Sequence, residues 1–561
     1  MTSQTAAPSL EHVLVSEKIL TPEDVSTAVA VARDTGVALE KALIESQLLT
    51  ESELMEAVSK RIGIPHVSLR DKRVPKDVLE AVPTRVAHFY NLLPLEWRDG
   101  ALVVALAHPE DTQKVDDLRL VLQKDVIAVL SGESEIRDAF VRHYGVGAET
   151  LEELRPEAPE TGGGPETNED LKTLSEDASV VKFVNQLILE ALESRATDIH
   201  LEPFDRELRV RRRIDGVLSD AVVPAAIRHF QAAIISRVKV MADLDIAERR
   251  LPQDGRIQRR VAGDDVDMRV SILPTPFGES VTIRLLTSKL FLDLEKLGFS
   301  KDEMAYLESL LEKPHGIILL TGPTGSGKTT TLYSFLSKIN HAGTKIITIE
   351  DPIEYQLRGV TQIQVQPKIG LDFARGLRSM LRHDPDVMMV GEIRDLETAE
   401  IAIRVALTGH LVFSTLHTND APGAVSRLLD MGLEPFLVSS SLECVIAQRL
   451  VRTICRHCKE EDAYKGAREG AGQDGRPVYR GRGCERCGFT GYFGRTTIYE
   501  LLGISREVRE LIMKRASSDQ IRQLALSRGM RTLRRCGWEK IYAGLTTPEE
   551  VLRVTMKEED S

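Results

Sequence analysis

At 561 residues the chain is too long for one domain, and three or four are expected. Hydrophobic residues at 42% and charged residues at 28% describe globular folding and exclude a disordered or fibrous chain, while a net charge of −12 speaks against non-specific coating of nucleic acid, so no nucleic-acid partner is expected. No stretch approaches the roughly 18 apolar residues of a membrane span, and the start Met1-Thr2-Ser3-Gln4 has no basic region leading into an apolar core, which predicts a cytoplasmic chain.

The first pattern along the chain is a duplication. Leu14-Val15 with Ile19-Leu20-Thr21 returns 29 residues later as Leu43-Ile44 with Leu48-Leu49-Thr50. Each copy runs into an acidic helix opening, Pro22-Glu23-Asp24 and Glu51-Ser52-Glu53. Residues 66–144 then alternate short apolar strands, such as Leu102-Val103-Val104-Ala105-Leu106, with helical patterns, which predicts a small α+β part. From 146 to 170, Glu149, Glu152, Glu153, Glu157, Glu160, Glu166, Glu169 and Asp170 face only Arg155, amid Gly162-Gly163-Gly164 and three prolines. Such a segment cannot bury a core and is predicted to be a flexible acidic linker.

Residues 205–284 hold fourteen arginines and one lysine, Lys239, a skew that suits bidentate contacts to phosphate or carboxylate. Clusters such as Arg209, Arg211, Arg212 and Arg213 could track a nucleic-acid backbone. However, twelve acidic residues share the span, and most of the arginines alternate with apolar residues, so solvated strand faces account for the majority.

Gly322-Pro323-Thr324-Gly325-Ser326-Gly327-Lys328-Thr329-Thr330 follows the apolar run Ile317-Ile318-Leu319-Leu320 and matches a phosphate-binding P-loop in spacing and in strand–loop–helix context. Its amides can turn inward around phosphates, Lys328 supplies a positive charge, and the Thr329 hydroxyl can hold Mg²⁺. A predicted strand at 345–349 delivers Glu350, Asp351 and Glu354, any of which could meet a nucleotide or orient water. A second, 387–390, ends in Gly391-Glu392, a Walker B position without the usual aspartate, where Glu392 would serve Mg²⁺. A third, 412–415, is bracketed by His410 and His417, which are expected to sense the γ-phosphate.

The apolar run 437–450 reads as helix-like and encloses Cys444, which with Cys536 is expected to be unpaired and buried. Cys455-Arg456-His457-Cys458 and Cys484-Glu485-Arg486-Cys487, twenty-five residues apart, have the spacing of a Zn²⁺ site of four thiolates. The polar, Gly-rich stretch between them has little core of its own, so metal would supply the folding energy.

These strings, with Ser194 to Pro203, Leu251 to Arg256, Val390 to Asp395 and Thr408 to His410 in fixed order over about 171–502, resemble the secretion ATPases that power type II secretion and type IV pilus assembly. The resemblance implies an α/β fold. A RecA-like P-loop ATPase core (291–561) with C-terminal helices and a zinc-binding insertion (455–487) would be preceded by a smaller α+β, PAS-like domain (171–290). The N-terminal module (1–145) and the linker (146–170) would precede both. It makes Glu354 the general base for water, Glu392 the Walker B glutamate, and His410 and His417 the ends of a histidine box. Arg256, Arg269 and Arg284 would be arginines that reach a nucleotide, often across a subunit interface. It also implies ATP, Mg²⁺ and Zn²⁺ as ligands, a homohexamer, inner-membrane platform proteins as partners, and peripheral association with the cytoplasmic membrane.

In some members of this family the N-terminal module binds cyclic di-GMP through tandem motifs that open with Arg-Leu-Gly. Here Ser9-Leu10-Glu11 and Ala38-Leu39-Glu40 stand in those places, and Lys18 and Gln47 replace glycines, so the ligand is doubtful and a structural or docking role is expected. Overall the reading is an ATPase closest to the type II secretion group, with pilus assembly as the alternative and a nucleic-acid motor behind both.

Overall fold

The computed structural model describes residues 10–17, 19–35, 39–46, 48–70, 72–107, 112–145, 177–261, 264–287, 294–462 and 476–555, which fall into two units, Met1–Leu285 and Leu286–Ser561. The predicted linker at 146–170, and the substituted positions Ser9, Lys18, Ala38 and Gln47, lie outside the described residues. No helix among the described residues is long and apolar enough to cross a membrane.

In the first unit the duplication is visible as two helix pairs, Leu10–Ser16 with Pro22–Thr35 and Leu39–Glu45 with Glu51–Ile62. The same local chemistry starts the second helix of each pair. The Thr50 hydroxyl accepts from the Glu53 amide while the Thr50 amide donates to the Glu53 carboxylate, and Thr21 and Asp24 exchange the same two bonds. Strands β1 (Leu92–Arg98), β2 (Ala101–Leu106) and β3 (Val126–Leu130) then form a three-stranded sheet with the helices Thr112–Leu122 and Glu133–Tyr144.

Beyond it, β4 (Ala196–Pro203), β5 (Leu208–Ile214), β6 (Val217–Asp220), β7 (Gln253–Val261), β8 (Asp264–Thr275) and β9 (Gly278–Thr287) make a sheet ordered β6-β5-β4-β9-β8-β7. One face buries Ile199, Leu201, Val210, Val281 and Ile283 in a core shared with the helices Ala178–Glu193 and Gln231–Met241. The other carries the alternating arginines. Asp198 stands opposite Arg213 on β5 and Arg284 on β9, and His200 stands opposite Arg211. Arg212 turns to the core side, where Glu190 lies 3.7 Å away.

The second unit contains β10 (Gly316–Thr321), β11 (Ile346–Glu350), β12 (Thr361–Gln364), β13 (Val387–Val390), β14 (Leu411–Leu416), β15 (Leu442–Ile454), β16 (Lys459–Asp462), β17 (Val478–Gly481) and β18 (Tyr492–Gly503). Seven of them form a sheet ordered β12-β11-β13-β14-β10-β15-β18, parallel throughout except for the antiparallel pair β15–β18. β10 is central and buried on both faces, so its sequence is apolar without alternation. Ile317 and Leu319 enter the core beneath the helices Leu396–Leu407 and Ala421–Asp430, and Ile318 and Leu320 enter the core of the helix Lys328–Ile339. Each such side chain contributes about 2 kcal/mol by leaving water.

The run 437–450 is not one helix: helix ends at Ser441, and Leu442–Ile454 is strand β15, with Cys444 buried on it. A strand covered on both faces has the same unbroken apolar run as a buried helix, so periodicity does not separate the two. Within the stretch between the cysteine pairs, β16 and β17 pair antiparallel, so its described ends are strands.

The C-terminal helices Leu533–Tyr542 and Pro548–Val554 pack on the β15–β18 edge. Glu550, 1% exposed, accepts from the Arg452 amide and from the Arg452 and Arg553 guanidiniums. Burial opposes its charge, but these partners outweigh it and hold the carboxyl down at about 2. A depressed carboxylate stabilises the fold above its unfolded pKa and loses that contribution as pH falls. Glu550→Gln should therefore cost on the order of 3 kcal/mol at neutral pH, and the gap to the parent should narrow by about 1 kcal/mol by roughly pH 3.5. Denaturation followed through the buried Trp538 in a Trp97→Phe background measures both.

Candidate active site

The loops that follow β10, β11, β13 and β14 all emerge at the carboxyl edge of the parallel sheet, where open α/β sheets receive ligands. Gly322, at φ 149°, leaves β10 in a conformation that favours glycine, and a Cβ there would lie 2.6 Å from the Gln448 carbonyl. Gly327, at φ 87°, caps the helix that begins at Lys328. Lys328 folds back over the loop, its Nζ donating to the carbonyls of Gly322 at 2.7 Å and Pro323 at 3.2 Å. Burial, with the charge of Arg449 nearby, pulls its pKa down to about 8 against the opposing field of Glu392. Thr324, Gly325 and Thr329 are exposed, Thr330 is half-buried, and the buried Ser326 hydroxyl has no partner among the described residues.

Glu392 follows β13 after Gly391. His417 Nε2 lies 3.0 Å from Glu392 Oε2, and the Arg394 guanidinium donates to Oε1. Burial raises the carboxyl pKa, but these two partners outweigh it and hold Glu392 below the usual carboxylate range. Gly391 has a packing reason to be glycine: a Cβ would meet the Ile349 carbonyl at 3.3 Å and the Glu350 Cα at 3.4 Å, so the aspartate common at this position would crowd β11.

Two sequence expectations fail. Glu350 does not face the loop. It is 3% exposed and accepts from the Tyr333 hydroxyl, from Thr348 Oγ1 at 2.6 Å and from Gln362 Nε2 at 3.1 Å, which ties β11 to β12 and to the P-loop helix. The pleat decides this, since the last side chain of a strand points to one face or the other and Glu350 points inward. His410 is also misplaced. It precedes β14, its carbonyl accepts from Gly316 at the start of β10, and its ring Nδ1 lies 3.1 Å from the Val405 carbonyl. Six residues of β14 put it about 20 Å from the edge that His417 occupies.

Asp351 is exposed and close enough to Arg394 to act on it, and Glu354 is half-buried, with its backbone and that of Tyr355 against the Tyr333 hydroxyl. In the first unit, Arg256 is held by Asp267, with Nε at 2.7 Å from Oδ1, and Arg284 by Asp198 at 3.0 Å. Arg269 stands opposite Arg256 in the β7–β8 register.

Sequence reading missed Thr321, Thr418, Asn419, Gln448 and Arg449. Thr321 Oγ1 accepts from the Thr418 amide at 2.8 Å and lies 2.7 Å from Thr418 Oγ1. Gln448 bridges the loop and its helix, donating to the Ser326 carbonyl at 2.7 Å and accepting from Thr331 Oγ1 at 3.0 Å. A polar Gln448-Arg449 pair inside the otherwise apolar run 444–451 was the available signal.

The four cysteines meet. Their sulfurs all lie within 4.8 Å of one another, with Cys455–Cys484 at 3.8 Å, Cys458–Cys487 at 3.9 Å and Cys484–Cys487 at 3.7 Å. Four thiolates about 2.3 Å from a tetrahedral Zn²⁺ stand about 3.8 Å apart, so the cluster fits that ion. The Gly483 amide donates to Cys458 Sγ at 3.3 Å and the Cys484 amide to Cys487 Sγ at 3.1 Å, a pattern that stabilises thiolate charge.

Residues 173–553 match the family described as type II/IV secretion system protein. The chain belongs to that family. As a secretion ATPase it is a P-loop enzyme that hydrolyses ATP, which entails ATP and Mg²⁺. It is 42% identical to the type IV pilus assembly ATPase PilB of Myxococcus xanthus, over 97% of this chain and 98% of that one. It is 43% identical to type II secretion system protein E of Xanthomonas campestris, over 99% and 100%. With protein E of Pseudomonas aeruginosa the identity is 50%, over 73% and 81%. Residues 62–150 match the MshEN domain, a match that begins at the end of the second repeat.

The placement of the histidines gives a sharp contrast for this secretion ATPase. His417→Ala should lower kcat at least about tenfold, because Glu392 loses one of its two partners, whereas His410→Ala should stay within about twofold of the parent. Steady-state phosphate release measures both. For the cysteines, elemental analysis should find about one zinc per chain, lost together with thermal stability in Cys458→Ser.

Proposed function

We propose that this ATPase drives pseudopilus assembly for type II protein secretion, as a homohexamer acting on inner-membrane platform proteins at the cytoplasmic face of the membrane. The observation that carries the reading is the convergence of Lys328, Glu392, His417 and the Thr321–Thr418 contact at one sheet edge. In such a site the loss of a phosphate is felt at three separate strand ends. Lys328 and the amides of Gly322 and of 324–327 would hold the phosphates, with Pro323 shaping the turn and Thr330 behind them. Thr329 and Glu392 would hold Mg²⁺, and His417 would orient Glu392. Glu354 would orient the attacking water, with Asp351 beside it. Charge developing on the γ-phosphate would be met by Arg256, Arg269 or Arg284. Loss of the γ-phosphate, felt at these strand ends, is the step that can be passed on to a membrane partner.

The cysteine cluster would hold Zn²⁺ as a structural ion, since all four ligands come from the protein and none is left for substrate. The N-terminal repeats are read as structural or docking elements, because Ser9-Leu10-Glu11 and Ala38-Leu39-Glu40 lack the guanidiniums that a cyclic dinucleotide would use.

Type II secretion is favoured by the 50% identity to the Pseudomonas aeruginosa protein E. Pilus assembly is the second reading, because the Myxococcus xanthus relative of that name aligns over nearly its whole length. Cells whose only copy carries Lys328→Ala should retain their exoproteins. Normal export with loss of surface pili would transfer the motor to pilus assembly.

A further inference from the structure

Arg449 is a buried cation whose charge no described side chain matches. It is 8% exposed on β15, beside the P-loop strand β10. Its Nη1 donates to the Gln448 carbonyl at 3.0 Å, and its Nη2 to the Asn419 carbonyl at 2.9 Å with Asn419 Oδ1 at 3.4 Å. Every one of these acceptors is neutral. The two carboxylates whose field reaches it are occupied: Asp420 accepts from Arg522 at 2.7 Å, and Glu500 accepts from the amides of Ala421 at 2.9 Å and Leu533 at 3.4 Å. A buried guanidinium without an anionic partner is costly to keep. Its position says what it is kept for. A Cβ on Gly322 would lie 2.9 Å from Nη1, so the guanidinium packs against the first turn of the P-loop, and its charge is felt at Lys328. On its other side it grips Asn419, two residues beyond His417 and next to Thr418, which is tied to Thr321.

We propose that Arg449 is a positioning residue of the nucleotide site, which braces the first turn of the P-loop against the segment after β14 and whose charge is completed by the polyphosphate of the bound nucleotide. The inference rests on nucleotide binding at this loop. One side of the guanidinium fixes where the loop amides stand, and the other fixes the residues that follow His417. A change at the phosphates is therefore relayed to the Glu392 partner through one rigid planar group.

The test uses the full chain with Mg²⁺, ATP and ADP, comparing Kd by calorimetry with kcat and KM. Arg449→Met should weaken binding of both nucleotides about tenfold, the size of a lost charge-assisted contact. Arg449→Lys should recover affinity to within about threefold and yet leave kcat low, because an ammonium restores charge without forking between the Gln448 and Asn419 oxygens. Asn419→Ala should lower kcat with Kd held. A packing role alone predicts no such split. Parent-like Kd and kcat in Arg449→Met would overturn the proposal, as would an Arg449→Lys that binds no better than Arg449→Met. If Arg449→Met does not melt cooperatively, the other two variants decide: kcat lowered with Kd held supports the assignment, and parent-like kcat in both refutes it. A parent chain that binds neither nucleotide would instead bring down the P-loop reading itself, and this inference with it.

Discussion

The hydrogen bonds between Thr321 and Thr418 join the last residue of β10 to the segment that follows β14, and the rest of the site is arranged around that junction. Thr321 is fully buried, and its hydroxyl also lies within reach of the Leu416 and Thr418 carbonyls. A hydroxyl in that position cannot be left unpaired without a desolvation cost, so the two strand ends are held in one register. From β10 the chain turns into the P-loop. From β14 it passes His417, which reaches Glu392, and then Asn419 and Asp420, which reach Arg449 and Arg522.

Burial gives these polar links their weight. The strands beneath them are apolar on both faces, so the sheet is rigid and the loops at its carboxyl edge inherit fixed starting points. Two polar side chains that enter this environment, Glu350 and Gln448, are paired within it. Glu350 accepts from Tyr333, Thr348 and Gln362, and Gln448 both donates and accepts. Glu392 differs, because its partners His417 and Arg394 stand 48% and 63% exposed at the surface. A carboxylate held by exposed partners can exchange them for a metal ion or a neighbouring chain more cheaply than one sealed in the core.

The cysteine cluster obeys a different constraint. Cys455 and Cys458 follow β15, and Cys484 and Cys487 precede β18, so the antiparallel pairing of β15 and β18 brings the two pairs together. Sheet formation thus builds the metal-sized cage, and the short hairpin β16–β17 closes the excursion between the pairs.

Local chemistry was legible in the sequence. The P-loop, the two cysteine pairs, the repeated Thr-led helix starts and the alternating arginines of β5 each depend on residues close in the chain, where spacing and side-chain type suffice. The family followed from the order of those strings. Direction and depth were not legible. His410 and His417 flank the same strand, yet a parallel sheet sends them to opposite edges, so only the second joins Glu392. Glu350 is the last residue of β11 and the pleat turns it into the core, whereas Glu392 stands two residues past the end of β13 and remains at the loop. Arg449, more than a hundred residues beyond the P-loop, reaches it because β15 lies beside β10. Long-range strand order is set by how the apolar faces pack, and no single stretch of sequence carries it.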